Sequence, residues 1–250
     1  MTEPQVLIVT GASRGIGAAT ARLAAQHGYD VCVNYLGNAE GAQAVVRDVE
    51  SAGRRAVAVQ GDVAREDDVE RLFETVDREL GRLGALVNNA GLTGQASRLD
   101  AVEAETLRRV LDVNVLGVLL CSRAAVRRMS TRHGGSGGGI VNISSVAASL
   151  GMGGDYVWYA TSKGAIDSLT IGLANEVAKE GIRVNAVAPG LTVTDIHIAA
   201  GDPTRPERLG PTVPIGRAGA PEEIAEPILW LLSEAASYTT GAILRVGGGR

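Results

Sequence analysis

The chain has 250 residues, 45% of them apolar, and a formal charge of −4, the proportions of a globular protein with room for a sizeable α/β core. Its arginines are scattered among acids and form no basic run, so a nucleic-acid partner is excluded from expectation. No apolar stretch reaches a membrane span and Met1-Thr2-Glu3-Pro4 does not read as a signal peptide, so a cytoplasmic protein without a membrane partner is expected. Cys32 and Cys121 stand in apolar runs and read as buried free thiols, while His27, His133 and His197 are too scattered to hold a metal.

In chain order, Gln5-Val6-Leu7-Ile8-Val9-Thr10 is an apolar run suited to a buried parallel strand. It breaks into Gly11-Ala12-Ser13-Arg14-Gly15-Ile16-Gly17, and an alanine-rich helix follows over 16–27. Strand, glycine loop and helix arrive in the order a dinucleotide site requires, with backbone N–H groups and a helix N-terminus turned toward a pyrophosphate. Strands are predicted at 6–10, 30–34, 56–60, 85–88, 140–143, 183–187 and 243–246, with helices at 16–27, 39–52, 66–80, 102–130, 157–180 and 221–233. That alternation predicts a Rossmann-type doubly wound parallel sheet of α/β class. No repeat or linker divides it, so residues 1–250 are expected to form a single domain. Pro221 before Glu222 and Glu223 marks a helix start. The run His133-Gly-Gly-Ser-Gly-Gly-Gly139 precedes a strand instead of a helix and reads as a surface turn, not a phosphate loop.

Further along, Tyr159-Ala-Thr-Ser-Lys163 places one of five tyrosines four residues before one of only two lysines. On a helix that spacing stacks both side chains on one face. A nearby ammonium favours phenolate, so the pair predicts a phenol tuned toward working pH.

Together, Thr10-Gly11-Ala12-Ser13-Arg14-Gly15-Ile16-Gly17, Asn88-Asn89-Ala90-Gly91, Asn114, Ser144-Ser145, Tyr159-x-x-x-Lys163 and Pro189-Gly190 resemble the classical short-chain dehydrogenase/reductase family over the whole chain. The resemblance implies that Tyr159 is the general acid in carbonyl reduction and the base in the reverse direction. It implies that Lys163 lowers the phenol's pKa and holds the nicotinamide ribose. Ser145 would donate to the substrate oxygen; Ser144 is its rival, and both stand slightly farther from the tyrosine than the family's serine does. Asn114 matches the asparagine that kinks its helix and holds a water linking Lys163 to solvent.

For the cofactor, the same resemblance assigns Gly11, Ser13, Arg14, Gly15, Ile16 and Gly17 to the phosphates. The end of the second strand, Asn34-Tyr35, lacks the acid with which members that prefer NAD(H) hold the adenosine ribose. Arg14 offers a guanidinium to a 2′-phosphate, so NADP(H) is the expected cofactor, with NAD(H) possible. Asp62 and Val63 resemble the pair that contacts adenine, Asn89, Ala90 and Gly91 should run along the adenosine ribose, and the Asn88 and Asn89 side chains are alternatively braces. Beyond Pro189 and Gly190, Thr194 and the backbone of Val193 should meet the carboxamide and phosphates.

The substrate is expected to be a small carbonyl or alcohol, met by loops at 92–101, 148–158 and 191–216, the last a lid. Met152, Tyr156 and Trp158 either line an apolar pocket or pack on the neighbouring helix. A homotetramer is expected, with contacts through the helix bearing Trp230 and through the helices bearing Asn114 and Tyr159. The competing reading is a catalytically silent nucleotide-sensing protein on the same fold.

Overall fold

The protein is described by a computed structural model over residues 5–250. Seven parallel strands lie in the order β3-β2-β1-β4-β5-β6-β7, with β1 Val6–Val9, β2 Asp30–Tyr35, β3 Ala56–Gln60, β4 Leu83–Asn88, β5 Gly138–Ile143, β6 Ile182–Pro189 and β7 Ile243–Val246. Every residue of β1 is buried, because helices cover both faces of the sheet. Side chains alternate between the two sides. Leu7, Val9, Val31 and Val33 meet α1 (Gly15–Gln26), α2 (Ala39–Ser51) and α10 (Pro221–Leu232). Val6, Ile8 and Cys32 meet α3 (Glu66–Glu79), α5 (Gly117–Met129) and α7 (Val157–Val177). Phe73, Ile140 and Ile166 are fully buried, and each such side chain stabilises the fold by roughly 1.5–3 kcal/mol through lost water contact.

Strand order reverses at β1, which pairs with β2 on one side and β4 on the other. At such a switch point the crossovers depart in opposite directions and a crevice opens beyond the strand ends. The glycine-rich run after His133 lies at the opposite end, leading into the start of β5.

The helix predicted over 102–130 is not continuous. It comprises α4 (Ala104–Leu111), a π-helical turn over Asp112–Leu116, and α5. The turn brings Asn114 inward, where its amide accepts from Leu92 N at 2.9 Å and donates to Leu92 O at 2.8 Å and to Ser162 Oγ at 3.0 Å. An added residue per turn supplies that reach. As the chain pattern predicts, Pro221 opens α10, and Glu223 Oε2 accepts from Ala220 N at 2.8 Å.

Candidate active site

A cleft of about 780 Å³ opens along the carboxyl ends of β1, β2, β4, β5 and β6. Gly11, Ser13, Arg14, Gly15 and Ile16 form one wall. Gly11 has φ +62°, and a Cβ there would come within 2.9 Å of Ala90 Cα, so no other residue permits the loop to lie this close to the end of β4. Gly17 is set behind the cleft wall, where a Cβ would meet Asn89 Nδ2 at 2.5 Å, so the close packing of α1 on the loop requires glycine there. Arg14 caps no N–H of α1, and the first turn holds no acid. The positive end of this helix therefore faces the cleft with no acid in its own first turn, and suits a pyrophosphate.

At the second strand, where Asn34 and Tyr35 are the expected cofactor contacts, the two residues part. Asn34 touches the cleft, but its amide is spent: Oδ1 accepts from Gly11 N at 3.2 Å and Nδ2 donates to the carbonyls of Val59 and Gly61. Tyr35 follows the alternation of Val31 and Val33 and packs on the core under α1 and α2. Leu36, Gly37 and Asn38 line the cleft in its place. Asp62 and Val63 are cleft residues as expected. The Asp62 carboxylate is shared, with Arg109 Nη1 2.9 Å from Oδ2 and Ala64 N donating to Oδ1 at 3.0 Å. Asn89, Ala90 and Gly91 line the same wall. The Asn89 amide donates to the carbonyls of Thr10 and Gly11, and Asn88 donates to Asn142 and Ser122, so both side chains are braces. Arg14 Nη1 lies 3.7 Å from Asp195 Oδ2, with both side chains at least half exposed.

The far end of the cleft gathers Ser145, Tyr159 and Lys163. Lys163 is buried and its Nζ donates to the Ile143 carbonyl at 2.6 Å. Burial lowers its ammonium to about 8, against the pull of Asp167. Tyr159 keeps part of its surface in the cleft, yet protein encloses the phenol and burial pushes it up to about 12, with the Ser145 hydroxyl opposing. Lys163 is not among the groups that move the phenol. Its Nζ stands 5.6 Å from the Tyr159 ring centroid and is aimed at a carbonyl.

The two serines separate by their partners. Ser144 Oγ donates to Asp167 Oδ1 at 2.5 Å and is buried. Ser145 Oγ accepts from Ala147 N at 3.1 Å and is the serine that meets the Tyr159 phenol. Asn114 stands behind the cleft wall, holding Leu92 and Ser162.

Over this end, Pro189, Gly190, Thr192 and Thr194 line the cleft, but Val193 does not. Val193 N donates to Gly219 O at 2.9 Å, and the side chain is 56% exposed. Segment 191–216 is folded around α8 (Ile196–Ala199) and α9 (Arg205–Leu209). His197 Nε2 pairs with the Thr192 carbonyl at 2.9 Å, which makes that nitrogen the donor. Met152 and Tyr156 line the cleft, whereas Trp158 is buried beside them and donates to the Thr93 carbonyl at 2.7 Å. Arg109, His197, Arg205 and Arg250 also line it, and the sequence singled out none of them for the site.

Beyond the geometry, the sequence model of the enoyl-(acyl carrier protein) reductase family matches residues 11–250. The uncharacterized oxidoreductase YgfF of Escherichia coli (strain K12) is 49% identical over 98% of this chain and 99% of its own. A short-chain dehydrogenase from Burkholderia cenocepacia J2315, solved in complex with NADP, superposes with a TM-score of 0.89 at 35% identity, over 98% of this chain and 97% of that one. The chain belongs to the short-chain dehydrogenase/reductase family. A second member, the 3-ketoacyl-(acyl-carrier-protein) reductase from Brucella melitensis complexed with NADH, has a TM-score of 0.91 at 31% identity, over 100% of this chain and 99% of that one. This short-chain dehydrogenase/reductase is an enzyme with the family's parallel Rossmann-type sheet. Among its described residues no helix is long and apolar enough to cross a membrane, and no group of three His, Cys, Asp or Glu is placed to hold a metal.

Proposed function

We propose that the protein is an NADP-preferring oxidoreductase that interconverts a carbonyl and a secondary alcohol, with Tyr159 as general acid/base. The observation that carries this reading is the meeting of the Tyr159 phenol, the Ser145 hydroxyl and the buried Lys163 ammonium at one end of a cleft whose other end is a glycine loop on a helix N-terminus. A nicotinamide cofactor, when bound, supplies or accepts the hydride. The open N-terminus of α1, the glycines at 11 and 15 and the absence of an acid in the first turn fit its pyrophosphate.

With its phenol pushed up to about 12, Tyr159 carries its proton at neutral pH, the state required of a donor to a carbonyl oxygen. Ser145 offers its hydroxyl to the same oxygen. Lys163 supplies a donor group for ribose hydroxyls, and Asn114 positions the loop after β4 at Leu92 and the helical turn of Ser162. Arg14, with no acid among Asn34, Tyr35, Leu36 and Gly37, supports the preference for a 2′-phosphate. Residues 191–216 act as the substrate lid of a single domain over 1–250, in a cytoplasmic homotetramer. Exposed Leu119 on α5, Ile171 on α7 and Trp230 on α10 support that assembly. A panel of ketones, sugars and alcohols, followed by nicotinamide absorbance with both cofactors, tests the reading: turnover with NADP(H) above NAD(H) is expected, and no turnover with either favours a silent nucleotide sensor.

A further inference from the structure

We infer that Arg205 is a positioning residue that ties the lid to the proton donor: its guanidinium clamps Asp155 and Tyr156, and Tyr156 stands edge-on against Tyr159. The inference rests on the reading of Tyr159 as general acid/base. Arg205 belongs to α9 within the lid, lines the cleft, and is only 8% exposed. Its Nη2 lies 2.6 Å from Asp155 Oδ2 and its Nη1 3.9 Å from Asp202 Oδ2. The guanidinium carbon is 5.2 Å from the Tyr156 ring centroid, and the Tyr156 and Tyr159 centroids are 5.8 Å apart at an interplanar angle of 87°. That is the edge-to-face arrangement aromatic quadrupoles favour.

The same node joins the third substrate loop. The Asp155 carbonyl accepts from Ser97 N at 2.7 Å, and Ala96 N donates to the Ala200 carbonyl at 3.2 Å. Loops 92–101, 148–158 and 191–216 thus meet around one buried cation. Burying an arginine is expensive even when it is paired, so stability alone is a poor reason to keep it here. A planar guanidinium forks to a carboxylate and lies on an aromatic face at once, which an ammonium cannot do. Asp155 already balances its charge, so Arg205 is not a vacant anion site. Tyr156 is 6% exposed, and its contacts with Arg205 on one side and Tyr159 on the other connect the lid to the phenol.

Hydrogen exchange on the full chain tests the clamp without reference to turnover. Arg205→Ala and the milder Asp155→Asn should each raise exchange about tenfold or more in both 151–157 and 196–212, leaving the amides of β1 and β2 unchanged. Exchange that rises in the lid alone overturns the inference. In kinetics, Arg205→Ala should lower kcat by as much as about 100-fold, the scale of a misplaced reacting group, with NADPH affinity within about twofold of wild type. Arg205→Lys should recover part of that loss. Tyr156→Phe should behave as wild type and Tyr156→Ala as Arg205→Ala, and the double Ala variant should be no worse than either single one. Additive losses, or a Tyr156→Phe as impaired as Tyr156→Ala, would overturn the clamp. If wild type turns over no carbonyl or alcohol, the general acid/base reading fails, while the exchange data still decide whether the loops are tied.

Discussion

Lys163 Nζ donates to the Ile143 carbonyl at 2.6 Å, a buried ammonium held on a strand end in front of the Tyr159 ring. A cation kept there costs stability. Its drop from 10.5 to about 8, caused first by burial, corresponds to a penalty on the order of 3 kcal/mol at pH 7.

Lys163→Met should therefore be more stable than wild type at neutral pH while losing turnover. Between pH 8 and 10.5 the unfolded chain holds the extra proton at this site, so wild type gains stability as pH rises through that window and the variant's advantage shrinks. Tyr159 has the opposite sign: raised from 10.0 to about 12, it makes wild type lose stability above pH 10. Denaturant melts of both proteins at pH 7 and pH 10 check this. A Lys163→Met protein that is less stable at pH 7 would show that the Ile143 bond outweighs the burial penalty.

Cofactor choice should depend on Arg14 and on the position after Tyr35. Arg14→Ala should weaken NADPH about 10- to 100-fold and NADH little, the scale of one hydrogen bond to a charged group. Because Asp195 lies across the cleft from Arg14 at 3.7 Å, Asp195→Asn should tighten NADPH by releasing the guanidinium. Leu36→Asp should move preference toward NADH, since Leu36 lines the cleft. Fluorescence titrations with both cofactors measure these effects; equal losses for NADPH and NADH in Arg14→Ala would remove it as the discriminator.

The sheet was legible in the sequence because most strands are short apolar runs that break at a glycine, proline, asparagine or serine. What escaped was set by geometry across the chain. Tyr35 and Asn34 stand side by side in sequence, but strand alternation sends the tyrosine to the core and leaves the asparagine tying β2 to β3 and the glycine loop. The break at Asp112–Leu116 leaves no mark in the helical periodicity; only the resemblance that makes Asn114 a helix-kinking asparagine pointed to it, and the Asn114 amide holds it by reaching Leu92, 22 residues away in sequence. Arg109 and Arg205 are two arginines among many, and only the fold brings them to Asp62 and to Asp155. The Tyr159 and Lys163 pair was found from spacing, yet the burial that raises the phenol and lowers the ammonium was not, because it depends on how the chain packs around both groups.

Light scattering at micromolar concentration should give a mass near four chains. Ile171 is 47% exposed on α7 and Leu119 45% exposed on α5, so Ile171→Asp should reduce the assembly by placing a charge in an apolar contact. A wild-type mass near one chain would contradict the tetramer, and a mass near two would leave one interface standing.

The most direct measurement is single-turnover hydride transfer by Tyr159→Phe on the substrate that the panel identifies. The change removes one hydroxyl at the end of the cleft and leaves the ring, with its 5.8 Å contact to Tyr156, in place. The account predicts NADPH binding within about twofold of wild type and a hydride-transfer rate lower by about 100-fold or more, the usual weight of a lost general acid. A rate within about twofold of wild type would contradict the assignment of Tyr159 as proton donor.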